Sequence, residues 1–198
     1  MRAVLRNERD ADVPCDGCVG CCVSGYPIPL RPDDRRALDE VPAQWLKLPV
    51  GTGLARMLPR ADGTCPMMLG RRCTIYADRP RTCRDYDCRI YAACGVMPDG
   101  ERPVIQQRVA EWQFSFGSEQ ERADAEALRR ATVFIRAHAA LFPGPMHAES
   151  ATAAVVLAVK VFPLFRRAEG GPPAERVRQV IEAAKAFDLR RLPVGGGA

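Results

Sequence analysis

The chemistry-bearing side chains of this sequence are thiols. The stretch PCDGCVGCC, Pro14 to Cys22, sets Cys15, Cys18, Cys21 and Cys22 within eight residues, and Cys65, Cys73, Cys83 and Cys88 follow. Two residues between cysteines let both sulfurs of a C-x2-C turn approach one ion, and Gly17 and Gly20 relax the backbone where those turns are tight. A third cysteine after two more residues extends the run like the C-x2-C-x2-C loops that wrap iron–sulfur clusters. Paired C-x2-C knuckles with distant partners suit zinc. The run of three tips the reading toward iron–sulfur, with zinc as the alternative. Adjacent Cys21 and Cys22 point in different directions, so the eight thiols make either two four-thiolate sites or one site with auxiliary cysteines.

The charged start, MRAVLRNERDADVP, lacks the apolar core of a signal peptide. No window reaches the ~18 apolar residues a membrane helix needs. The longest candidate, Ala151 to Phe165, is interrupted by Lys160 and Pro163 and reads as a buried helix. These features predict a cytoplasmic protein without a membrane segment. There, nine cysteines serve as metal ligands, redox groups or core fillers rather than as a disulfide framework. The net charge of +5 is spread evenly: residues 1–100 carry 15 basic against 13 acidic side chains, residues 101–198 carry 14 against 11. Without a clustered basic face, nucleic-acid binding is not expected.

The elements that must position the thiols are irregular. All nine cysteines lie between Cys15 and Cys94, in a half punctuated by Pro and Gly. Residues 50–66 read as loop and turn, with Gly63 after Asp62 marking a tight turn. One short helix is predicted in RPDDRRALDEV, with Pro32, Asp33 and Asp34 in its first turn. Another starts near Pro80. If that helix ran unbroken, Cys83 and Cys88 would stand about 140° apart around its axis; either it ends between them or they serve different sites. The second half is helical. Ser118 and Glu121 form a capping box. Leu128, Ala131, Ile135, His138 and Phe142 then recur on one face, which the sequence FPGP stops. An apolar segment runs from about Glu149 to Leu164, and a last helix from Pro173 to Leu189 turns Val177, Val180, Ile181 and Ala184 inward. The fold class expected is therefore a small metal-stabilised, irregular cysteine-rich N-terminal half packed with an α-helical C-terminal half, mainly α with little strand. The expected divisions are a metal-binding domain over 13–94, a helical region over 118–190 and a disordered tail over 191–198. An irregular segment of ~90 residues buries little core, so bound metal is the expected source of its order.

The combined pattern C-x2-C-x2-C-C, C-P-x2-L, C-x-I-Y-x2-R-P-x2-C-R and a closing cysteine resembles the CxxCxxCC cysteine-cluster family, the YkgJ-like proteins. The residues that carry it are Cys15, Cys18, Cys21, Cys22, Cys65, Pro66, Leu69, Cys73, Ile75, Tyr76, Arg79, Pro80, Cys83, Arg84 and Cys88. The resemblance spans about residues 13–90 and implies zinc or iron chelation. Nothing further matches the larger flagellin lysine methylase of that family, so that activity is not carried over.

Arginines 79, 81, 84 and 89 surround the second cysteine group, where guanidinium groups near thiolates stabilise negative charge; for Arg81 and Arg89, plain coverage of a helix surface is the simpler reading. Tyr76, Tyr86 and Tyr91 either shield the site or pack. His138 reads as a core histidine rather than a ligand or proton carrier; the roles of His147 and Cys94 stay open. The G-x-G of GTGLAR lacks the strand and third glycine of a dinucleotide fingerprint. Two functions are expected as alternatives. One is a metal-binding protein carrying a Cys-ligated iron–sulfur or zinc centre, structural or electron-transferring. The other is a metal-dependent redox or group-transfer enzyme acting on a peptide or protein, with no catalytic residue identified and a protein or peptide as possible partner. Dithiol redox cycling is the weaker third, because the chain lacks a thioredoxin-like alternation of strands and helices.

Overall fold

Three very short strands organise the cysteine-rich half. In the computed structural model, which describes residues 18–48, 54–100, 103–144, 148–167 and 171–189, β1 (Ile28–Leu30) and β2 (Leu46–Lys47) both pair antiparallel with β3 (Ala55–Met57), in the order β1-β3-β2. The expectations for Cys15, His147 and the 191–198 tail fall outside these residues. Strand β3 interrupts the loop expected over 50–66; residues 58–66 are loop and turn as expected, with Gly63 at φ 82°. With three residues, Ala55 half-buried, Arg56 exposed and Met57 buried, β3 is too short for its alternation to stand out from the surrounding Gly and Pro. A second sheet is the hairpin β4 (Met68–Leu69) and β5 (Arg72–Cys73), in which Met68 faces Cys73 and Leu69 faces Arg72. Gly70 opens its two-residue turn at φ 60°, a conformation costly for any residue with a Cβ.

Between the strands, helix α1 covers Arg35–Glu40. It begins later than expected: Pro32 and Asp33 form a turn, and Asp34 is its N-cap. The Asp34 carboxylate does not cap the helix. It accepts from the backbone N–H of Arg31 and of Arg81, each at 2.7 Å, and so joins the end of β1 to the start of α2 (Arg81–Asp85). Leu30, Ala37, Val41, Met57, Met67 and Ile75 make a small buried core, with Trp45, Leu46, Cys65 and Cys73 packed against it. The N-terminal half thus owns apolar cohesion that its sequence concealed.

The described residues divide into two compact units. One holds the segments up to Cys88 and residues 103–110; the other holds Arg89–Gly100 and the chain from Glu111 onward. Helix α4 (Pro103–Glu111), unforeseen in the sequence, gives most of its length to the cysteine-bearing unit, where Val104 and Arg108 lie against Gly20.

The other unit is helical. Helix α3 (Arg89–Cys94) packs on α5 (Glu119–Ala137) and α6 (Ala151–Val161), and α6 also packs on α7 (Pro173–Leu189). Ser118 caps α5, its Oγ accepting from Glu121 N at 3.2 Å, while the Glu121 carboxylate reaches back to Gly117 N at 2.7 Å. Ser150 caps α6 in the same way. Leu128, Ala131 and Ile135 form the buried face of α5. His138 is off that face: it is the C-cap residue, half-buried and stacked on Phe134 with ring centroids 4.5 Å apart. In α7, Val177, Val180 and Ala184 are buried as expected and Ile181 is half-buried. No helix among the described residues is long and apolar enough to cross a membrane.

Candidate metal centre

Cys21 and Cys22 lie in a 3-10 turn, Cys21–Val23, that the backbone closes tightly. Val23 N donates to Val19 O at 3.1 Å, and Ser24 Oγ donates to Gly20 O at 2.5 Å. Gly25, at φ 66°, passes beside Gly63, at φ 82°, and donates to its carbonyl at 2.9 Å; a further bond runs from Cys65 N to Cys22 O at 2.6 Å. The first cysteine turn is thereby laid against the start of the second cysteine group.

Arg60 and Asp62 shape that second group; the sequence marked the turn at Asp62 and Gly63 but gave Arg60 no role. Arg60 donates from Nη2 to Pro66 O at 2.8 Å and from Nη1 to Met68 O at 3.2 Å, bracing the turn that carries Cys65. Asp62 accepts from Thr64 N at 2.9 Å and from Thr64 Oγ1 at 2.7 Å; these bonds lower its pKa. The string RADGT is the legible signal for this, an Asx turn beside a glycine. The β4–β5 hairpin then returns Cys73 toward Cys65. Helix α2 supplies Cys83 and is pinned to β1 by Thr82 Oγ1, which donates to Pro29 O at 2.8 Å. It ends at Asp85, before Cys88, which settles the question that their spacing posed.

These supports bring six of the expected thiols, Cys18, Cys21, Cys22, Cys65, Cys73 and Cys83, onto the wall of one cavity of about 410 Å³. Cys88 is half-buried and is not among its lining residues; Cys94 is buried in the helical unit. Ile28, Ile75, Met57, Met67, Tyr26 and Tyr86 complete an apolar surround. Among the described residues the charged ones in the lining are arginines, Arg71, Arg72 and Arg79, and none is acidic. Arg79 is 7% exposed, lies 3.9 Å over the Tyr76 ring and donates from Nη1 to Tyr76 O at 2.8 Å. Tyr91, by contrast, belongs to the helical unit, where its hydroxyl bonds Thr152.

Burial pushes the Cys83 thiol up to about 12; the neighbouring sulfurs of Cys65, Cys22 and Cys73 add to this, and Arg79 opposes it. Cys65 is raised chiefly by burial and further by Cys73, with Arg60 opposing. Sulfur therefore surrounds sulfur around Cys83. Among the described residues, no group of three His, Cys, Asp or Glu side chains is placed to hold a metal ion as it stands. The donor chemistry nonetheless fits a thiolate-bound metal. Six soft donors line one space, the surround is largely apolar, and the nearby fixed charge is cationic, as an anionic thiolate centre requires.

A family model described as "CxxCxxCC: Putative zinc- or iron-chelating domain" matches residues 14–112. That match ends one residue beyond α4, so it takes in the helix that covers the first cysteine turn. No curated protein and no solved structure matches the chain.

Proposed function

The chain belongs to the CxxCxxCC family of zinc- or iron-chelating domains, and from that premise we propose that it holds a thiolate-ligated iron–sulfur cluster in the cavity walled by Cys18, Cys21, Cys22, Cys65, Cys73 and Cys83. The observation that carries this reading is the number of thiols on one wall: six cysteines line a cavity of about 410 Å³, more than the four a single tetrahedral zinc takes. A tetrahedral zinc with Zn–S of about 2.3 Å draws its four sulfurs to roughly 3.8 Å of one another and needs no cavity. A cluster carries its thiolates on separate iron atoms, which spreads them and fills the room between them.

When bound, such a cluster supplies one-electron storage at a potential set by its surroundings. The chain's own residues do the rest. Each ligating thiol releases its proton, the more reluctantly where burial has raised its pKa, as at Cys83. Arg79 offsets the resulting negative charge from within the cavity wall. Tyr26, Tyr86 and Ile75 give the sulfurs apolar neighbours along the same wall.

The test is metal and acid-labile sulfide content, with a visible spectrum, on protein purified without oxygen. Iron with equimolar sulfide and broad visible absorption is the expected result. Colourless protein carrying zinc and no sulfide would overturn the cluster while leaving chelation intact.

A further inference from the structure

We infer that the mouth of the cysteine cavity is a docking face for an acidic protein segment bearing an apolar side chain. The face is centred on the tip of the β4–β5 hairpin. Leu69 is 75% exposed there, its cross-strand neighbour Arg72 and the turn residue Arg71 are exposed at the cavity wall, and Tyr76, 41% exposed, adds an aromatic edge. One exposed leucine on a surface is ordinary. Its setting here is not. Arg71 and Arg72 make no ion pair among the described residues, whereas in the same unit Arg36 pairs with Asp78 at 3.1 Å and Arg81 with Asp85 at 2.8 Å. Among the described residues no carboxylate lines the cavity, and Arg79 is engaged with Tyr76.

Uncompensated positive charge beside accessible apolar surface is the complement of a segment in which Asp or Glu flanks an aromatic or aliphatic side chain. The size of the patch selects a protein segment over a small free anion. Leu69 lies outside the cavity lining, so a molecule confined to the cavity would leave it in water, while an extended chain crossing the hairpin tip covers both. Antiparallel pairing of Met68 with Cys73 and of Leu69 with Arg72 shapes the tip before any partner arrives, which lowers the entropic cost of docking.

The test uses the full chain and three labelled peptides of equal length, read by fluorescence anisotropy: acidic with a central Phe, acidic with Gly in its place, and basic with Phe. The acidic Phe peptide should bind at least ~10-fold tighter than either control and lose that advantage at high salt, as exposed charge contacts do. The double substitution Arg71→Glu, Arg72→Glu should abolish the preference, and Leu69→Ser, at a residue outside the cavity lining, should weaken binding severalfold with metal content and circular dichroism unchanged. Equal affinity for the three peptides, or indifference to charge reversal, overturns the proposal. So does competition by free citrate at the peptide's own affinity, which would mark a small-anion site instead. The inference stands apart from the identity of the metal: protein that carries zinc without sulfide and still prefers the acidic Phe peptide would refute the cluster and leave the docking face in place.

Discussion

Cys83 joins the two demands on this site, since its thiol is held up to about 12 by burial and by the sulfurs of Cys65, Cys22 and Cys73. A group so disposed against ionising in the metal-free chain gives up its proton only to a cation, so metal uptake strengthens as pH rises. Cys83→Ser should remove most bound metal, and Cys94→Ser should leave it in place; elemental analysis of the two purified variants decides. Equal retention in both would remove Cys83 from the ligand set. Cys94 has a separate signature. Burial pushes its pKa from 9.0 to about 11, against the opposing influence of Thr132 and Arg129. Its stabilising contribution is therefore complete below pH 9, where the thiol is protonated folded and unfolded alike, and drains away as pH climbs toward 11. The loss amounts to roughly 2–3 kcal/mol. Cys94→Ala should flatten that alkaline decline, as read from urea midpoints on either side of the window; an unaltered slope would assign the decline to other groups.

At the scale of elements, the least legible tie has a large mechanical role. Asp34 has the look of a first-turn acid, yet its carboxylate collects backbone N–H groups from Arg31 and Arg81. Asp34→Ala leaves two donors without that acceptor in a site only 6% exposed, at a cost of about 2–3 kcal/mol. The denaturation midpoint of the cysteine-bearing unit should fall accordingly. Ser118→Ala should cost about 1 kcal/mol in the helical unit by removing the cap of α5, a loss that thermal melting by circular dichroism would register. These two positions mark what the sequence disclosed. Ser118 and Glu121 announce their helix because capping is local chemistry and α5 is long enough for its apolar period to repeat. Strands β1, β2 and β3 have two or three residues each, below the length at which alternation can be counted. Their stability comes from pairing with distant partners, which no window of sequence contains. Spacing marked the thiols as candidate ligands, and six of the eight share one wall while Cys88 is not among its lining residues. Which thiols share a wall was not readable, because that depends on Thr82 meeting Pro29 and Cys65 meeting Cys22. Helix α4 was hidden between two irregular stretches and shows its purpose only in its position beside Gly20.

For the whole molecule, the two units differ in what orders them. The helical unit rests on the packed faces of α3, α5, α6 and α7. The other has six buried core residues and the thiol wall. Chelator treatment should therefore raise hydrogen exchange across residues 18–88 and leave α5 and α7 protected. Uniform loss of protection in both units would show that they unfold as one, and no change anywhere would show that the metal contributes no order.

The bonds that shut the thiol wall span long distances along the chain, 53 positions from Thr82 to Pro29 and 47 from Arg81 to Asp34. Closing loops of that length is entropically uphill until the contacts at their ends reward it. A ribosome releases Cys18, Cys21 and Cys22 well before Cys65, Cys73 and Cys83, so the first thiols wait in solvent with only half a wall. The order of translation thus makes the pocket a late event in the life of each new chain. A centre that needs thiols from both groups therefore has no complete site on a chain translated only as far as Cys22.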